Sequence, residues 1–205
     1  MNKEISISKG NMKLVGIPNI NLPPVKSCRK NAPCCRDCYS MKAYRLYPSA
    51  RQAWDNNYCL YKSDPKKYFN SLNDYLKINK PKYFRFHSSG DFVDSNYLSN
   101  VLRIVKENKD IKFLAYTKQY ELLENIKQIP DNFSMVLSAW PGLKIDKSLL
   151  KRFPVAWMYD KKNIDKRIPK SEYINCSGNC NICIKRNRSC WNLRQLKKDV
   201  IFKKH

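Results

Sequence analysis

Eight of the nine cysteines in this chain fall into two groups. Cys28, Cys34, Cys35 and Cys38 lie within eleven residues, and Cys176, Cys180, Cys183 and Cys190 lie near the other end. Thiols this close in sequence rarely form disulfides without strain, but they converge readily on a metal ion or an iron–sulfur cluster. Four thiolates around a tetrahedral ion make an inert zinc site. Three thiolates can instead hold a [4Fe–4S] cluster with one iron left open. Neighbouring residues rarely both ligate one centre, so one of Cys34 and Cys35 is spare, and the ligands expected in the first group are Cys28, Cys35 and Cys38. The gaps between Cys176, Cys180, Cys183 and Cys190 are three, two and six residues. They match neither a ferredoxin run nor a double-CxxC zinc ribbon, so zinc and a second cluster both remain open there. Cys59 stands apart and reads as a small buried hydrophobe.

The elements around these groups have to position them. Ile5, Ile7, Leu14, Val15, Ile17 and Ile20 give strand character to residues 5–24, with a turn at Gly10 and Asn11. Helical material starts at Ser40, breaks at Pro48, and resumes from Ser49 to about Lys62. Asp64 followed by Pro65 predicts a capped helix that stops before Pro81. From Tyr83 the chain alternates. Strands are expected at 83–87, 111–116, 133–137 and 155–158, with helices from Asp94 or Ser95, over 120–129, and around 148–152. Alternation with short connections predicts an α/β fold of parallel βαβ units. There are too few units for a complete eight-fold barrel, so a partial (β/α) barrel is expected over residues 1–160, with an open doubly wound sheet as the alternative. Residues 161–205 read as a basic, Cys-rich, metal-binding C-terminal extension packed on that domain.

In parallel βαβ folds, function gathers at the C-terminal ends of the strands. Here those ends carry the Cys28–Cys38 loop, then His87, Ser88, Ser89, Gly90 and Asp91, then Thr117 and Lys118, then Ser138. Each has a bland reading as a turn, a cap or a half-buried histidine. Together they predict one polar mouth shared with the cysteines. His87, Asp91 and Lys118 are the candidates for catalysis. Ser88, Ser89, Gly90, Asp91, Thr117 and Ser138 are the candidates for binding a cofactor.

Composition sets the surroundings. Forty Lys and Arg against seventeen Asp and Glu give a net charge of +23. That excess predicts attraction to a polyanion, with nucleic acid first among partners. The first residues lack the apolar core of a signal peptide, and no run of 18 apolar residues offers a membrane span. A reducing cytoplasmic setting follows, in which clustered cysteines bind metal more often than they form disulfides.

The stretches Gly10 to Leu14, Asn21 to Pro23, Cys28 through Cys38-Tyr39, Ser89 to Phe92, Tyr116 to Lys118 and the terminal Cys190-Trp191 resemble the phage "gene product 88" domain family over most of the chain. More distantly, the CxxCY after a first strand and the Thr-Lys after a third look like radical S-adenosylmethionine enzymes. That resemblance implies a [4Fe–4S] cluster on three cysteines, whose open iron binds S-adenosylmethionine and yields a 5′-deoxyadenosyl radical. The sequence departs from that pattern in its first gap, which is six residues from Cys28 to Cys35 where the superfamily has three. The expected function is an iron–sulfur enzyme acting on nucleic acid or a nucleotide. The alternative is a zinc-stapled basic module that binds nucleic acid without catalysis.

Overall fold

The computed structural model describes residues 4–161, 164–169 and 173–203. Residues 1–3, where no leader is read, lie outside the described residues. So do positions 162–163, 170–172 and 204–205 of the basic extension.

The strands β1 (Ile7–Ser8), β2 (Asn19–Ile20), β3 (Tyr83–Phe86), β4 (Lys112–Thr117), β5 (Phe133–Ser138), β6 (Val155–Tyr159), β7 (Tyr173–Asn175) and β8 (Asp199–Lys203) form one eight-stranded sheet in the order β1-β2-β3-β4-β5-β6-β8-β7. Only β1 is antiparallel to its neighbour; the pairs from β2 onward are parallel. From β2 to β6 the order in the sheet is the order in the chain. Between β2 and β3 run α1 (Tyr39–Leu46), α2 (Pro48–Ser63) and α3 (Pro65–Asn79). Single helices follow in the later connections: α4 (Ser95–Glu107), α5 (Glu121–Glu124) and α6 (Lys147–Arg152). The expected α/β class and its parallel strands are present, and the sheet is not closed into a barrel.

Local chemistry sets the helix starts. The Asp64 carboxylate accepts from the Lys67 amide at 2.9 Å, with Pro65 in the first turn. Asp94 accepts from the Tyr97 amide at 2.8 Å and from the Tyr61 hydroxyl at 2.6 Å, joining a cap to a tertiary contact. The helix expected over 120–129 is shorter, only Glu121–Glu124. It has no side-chain cap at its start, and Asn125 ends it.

The two faces of the sheet are covered differently. Phe84, Phe86, Phe113, Phe133, Met135 and Trp157 belong to a core with Leu72, Leu98, Val101 and other helix residues. On the opposite face, Leu114, Val136, Ala156 and Val200 pack against Leu14 and Ile17 of the N-terminal loop and Trp191 and Leu193 of the tail. The segment beyond Asp160 therefore joins the sheet through β7 and β8 and also covers one of its faces. Its helix α7 (Cys180–Lys185) is tied to the N-terminal loop, because the Cys180 amide donates to the Lys13 carbonyl at 2.9 Å and Asn181 Nδ2 to the Val15 carbonyl at 2.9 Å. The last helix, α8 (Leu193–Leu196), leads into β8.

Cys59 is exposed, contrary to the sequence expectation. The inward face of α2 is set by Asn57, Leu60 and Tyr61, which share one side at helical spacing and leave Cys59 on the other.

Candidate functional site

The site begins where β3 ends. His87 has a left-handed backbone, φ 59°, and the chain turns sharply there. Asn21, just past β2, holds the turn: its Oδ1 accepts from the amides of Ser88 at 2.7 Å and Ser89 at 3.1 Å. Gly90, at φ 84°, follows. A Cβ there would sit 2.5 Å from Ser27 Oγ and 2.7 Å from Leu22 Cβ, so only glycine fits. Ser27 in turn donates to the Pro23 carbonyl at 2.7 Å, just ahead of Cys28. The loop after β3 and the first cysteine loop are thus packed against each other.

Asp91 fastens this loop to β4. Its carboxylate accepts from Thr117 Oγ1 at 2.7 Å, from the Phe92 amide at 2.8 Å and from the Lys118 amide at 2.8 Å. Burial pushes its carboxyl up, and these three hydrogen bonds oppose that shift. With its oxygens so committed, Asp91 is placed to position Lys118, and Thr117 turns its hydroxyl to Asp91 and away from the site. Lys118 Nζ donates to Ser138 Oγ at 2.8 Å and lies 5.9 Å from the Trp140 ring centroid. Arg29, next to Cys28, donates to the Lys118 carbonyl at 3.3 Å and forms an ion pair with Glu121, which pins the first cysteine loop to the end of β4.

His87 is buried, with Nε2 3.0 Å from the Tyr97 hydroxyl. Burial pulls its imidazole down to about 3, with the nearby Arg85 guanidinium acting in the same direction, so the ring is neutral at physiological pH. Its Nδ1 has no hydrogen-bond partner among the described residues, nor have Ser88 Oγ and Ser89 Oγ.

These groups line one cavity of about 300 Å³. Ser88, Ser89, Gly90, Asp91, Lys118 and Ser138 form part of its wall, with Trp140 and His87; Thr117 does not. Seven thiols line it as well: Cys28, Cys34 and Cys38 from the first group, and Cys176, Cys180, Cys183 and Cys190 from the second. The structure brings the two groups to a single space because the tail folds back over the sheet. It places Cys34, not Cys35, in the wall, since the 3-10 turn at Pro33–Cys35 directs the two neighbours differently. All seven are free thiols. Burial pushes Cys28 up to about 12, with the Asp91 charge adding to the effect. Burial also raises Cys34, where the Lys118 ammonium opposes it. Burial raises Cys180 against Arg85 and Lys13, and takes Cys190 to about 12. The donor chemistry suits a thiophilic metal, and ligation would replace the thiol protons. The thiols stand apart: among the described residues no three His, Cys, Asp or Glu side chains are grouped as a metal site.

Asn21, Arg29 and Arg85 also serve this site; sequence reasoning gave none of them a role there, although Asn21 opens one of the stretches that carry the family resemblance. Arg85 left a trace as a charge interrupting the aromatic run Tyr83–Phe86.

A family model described as "Gene product 88" matches residues 2–200. Among curated proteins, the "Gene 88 protein" of Mycobacterium phage L5 is 28% identical over 151 residues, covering 67% of this chain and 63% of the relative. The protein of the same name from Mycobacterium phage D29 matches to the same extent. The chain thus spans less than two thirds of the length of these relatives. No solved structure matches it.

Proposed function

The chain belongs to the gene product 88 family, and we propose that it is an iron–sulfur enzyme of the radical S-adenosylmethionine type, on a partial (β/α) barrel, acting on a nucleotide or nucleic acid. One observation carries this reading: seven free thiols and the polar strand-end loops line the same cavity. In it, Cys28, Cys34 and Cys38 hold the cluster. Their spacing, five residues and then three, leaves Cys35 spare. Cys176, Cys180, Cys183 and Cys190 form a closed four-thiolate site for a second cluster or zinc. When bound, a cluster with an open iron supplies one-electron chemistry and a Lewis-acidic site. The chain's own residues supply the rest. Ser88, Ser89 and Gly90 offer hydroxyls and close-approach backbone on the cofactor side. Lys118, held by Asp91 and Ser138, presents an ammonium to a carboxylate or phosphate. His87, neutral and buried, sets the shape of the loop. The sequential β2–β6 order, with helices in each connection, supports the partial-barrel description.

The test is electron paramagnetic resonance on protein purified without oxygen and reduced, before and after adding S-adenosylmethionine. A cluster signal that changes on addition supports the proposal; absence of any cluster signal refutes it.

The net charge of +23 favours a second reading, a zinc-stapled binder of nucleic acid. It predicts zinc without sulfide, and an affinity for DNA or RNA whose logarithm falls linearly as log salt rises. Affinity that does not respond to salt would remove it.

A further inference from the structure

Arg85 is a feature of the cavity that neither the fold nor the proposed cluster chemistry uses. Phe84 and Phe86 point to the helix-covered core, and the alternation of β3 sends Arg85 to the cavity side. Its Nε is buried and has no hydrogen-bond partner among the described residues, and none of their ion pairs includes it. Its guanidinium lies 4.9 Å from the Tyr116 ring centroid. Arg85 is half-buried, with its Nε shut off from water and unpartnered among the described residues, so an anion in the cavity would satisfy it.

The rest of the wall agrees. Lys13, Arg29, Lys118, Arg188 and Lys203 make six cations with Arg85, of which Arg29 is paired with Glu121, against the two carboxylates Asp37 and Asp91. Asp91 is already committed to Thr117, Phe92 and Lys118. Leu114, Ala156 and Val200 give an apolar floor, and Tyr116, Trp140 and Phe202 add aromatic rings. A volume of about 300 Å³ lies at the lower end of small-molecule sites.

We propose that this cavity takes a single nucleotide, with its phosphomonoester on the Arg85 guanidinium and its base against the aromatic wall. A guanidinium fork matches a phosphate bidentately, and the cation excess suits a dianion. This deepens the proposed function by naming its substrate class, and rests on that reading only in taking the cavity as the substrate site.

The test is calorimetric titration of the full chain, purified without oxygen, with adenosine 5′-monophosphate and with adenosine. Wild type, Arg85→Met and Arg85→Lys are compared, with metal content measured on each sample. The wild type binds the monophosphate at least tenfold tighter than adenosine. Arg85→Met loses that preference. Arg85→Lys keeps part of the preference. Equal affinity for the two compounds in the wild type overturns the proposal, as does a preference that survives in both variants. So does loss of metal from Arg85→Met with the preference intact, which would assign the guanidinium to an anionic metal–thiolate centre. An oligonucleotide that competes through Arg85 would overturn the assignment to a single nucleotide. A phosphate preference in protein free of iron and zinc would leave this inference standing and remove the metal reading.

Discussion

Cys34 and Cys35 are adjacent in the chain but differently placed. Cys34 lines the cavity with Cys28 and Cys38, and burial raises its thiol; Cys35 lies outside that wall. The expected result is that Cys34→Ala loses the metal of the first group while Cys35→Ala retains it, read by metal analysis of each variant; the reverse pattern would return the ligand role to Cys35. Gly90 has no alternative residue at φ 84° with Ser27 and Leu22 so close. Gly90→Ala should cost about 1–3 kcal/mol in urea unfolding from backbone strain alone, with the contacts adding to it. A change under about 0.5 kcal/mol would mean that the loop relaxes freely. His87 gives a pH dependence. Its ring is buried neutral among Phe86, Phe92 and the Tyr97 hydroxyl, with the Arg85 charge also nearby, and its pKa is pulled down to about 3. The unfolded chain titrates this ring near 6.5. Its contribution is therefore whole above that pH and is lost as pH falls from about 6.5 toward 3, because the unfolded state takes up the proton first. The melting temperature of the wild type should fall more steeply over that window than that of His87→Asn, a residue that tolerates the left-handed backbone. Parallel curves would place the acid sensitivity elsewhere.

Among the elements, those legible in the sequence carry their own signals. Asp64-Pro65 and Asp94 start α3 and α4 because a side chain caps the first turn. The strands at 112–117, 133–138 and 155–159 are apolar enough on both faces to read as buried parallel strands. β7 and β8 were not legible. They lie between charged residues, and their place in the sheet depends on distant partners. Besides the ladders to β6 and β7, β8 is tied by Asp199, whose carboxylate accepts from the Val155 amide at 2.8 Å and from Trp157 Nε1 at 2.7 Å. Asp199→Ala should cost about 2–4 kcal/mol by leaving two donors on β6 unpaired. An unchanged urea midpoint would show that β8 is held by its ladders and packing without the Asp199 side chain. The same limit applies at the site. The polar ends of β3 and β4 could be read from strand alternation. Asn21, which contacts residues 67 and 68 positions away, and Arg29, which reaches across 89, owe their roles to long-range packing that no local pattern encodes.

For the whole molecule, the organising fact is a sheet with two unlike faces. Helices cover one. The N-terminal loop and the C-terminal tail cover the other, and their meeting brings two cysteine groups, far apart in sequence, to one electropositive cavity. The net charge of +23 would draw a phosphate-bearing substrate toward it. Among the described residues no helix is long and apolar enough to cross a membrane. The proposed function rests on metal at these thiols. The most direct measurement is therefore iron, acid-labile sulfide and zinc per chain in protein purified without oxygen. Iron and sulfide are expected in equal amounts, at about four or about eight per chain for one or two cubane clusters. Zinc at about one or two per chain without sulfide, or no metal at all, would contradict the proposed function.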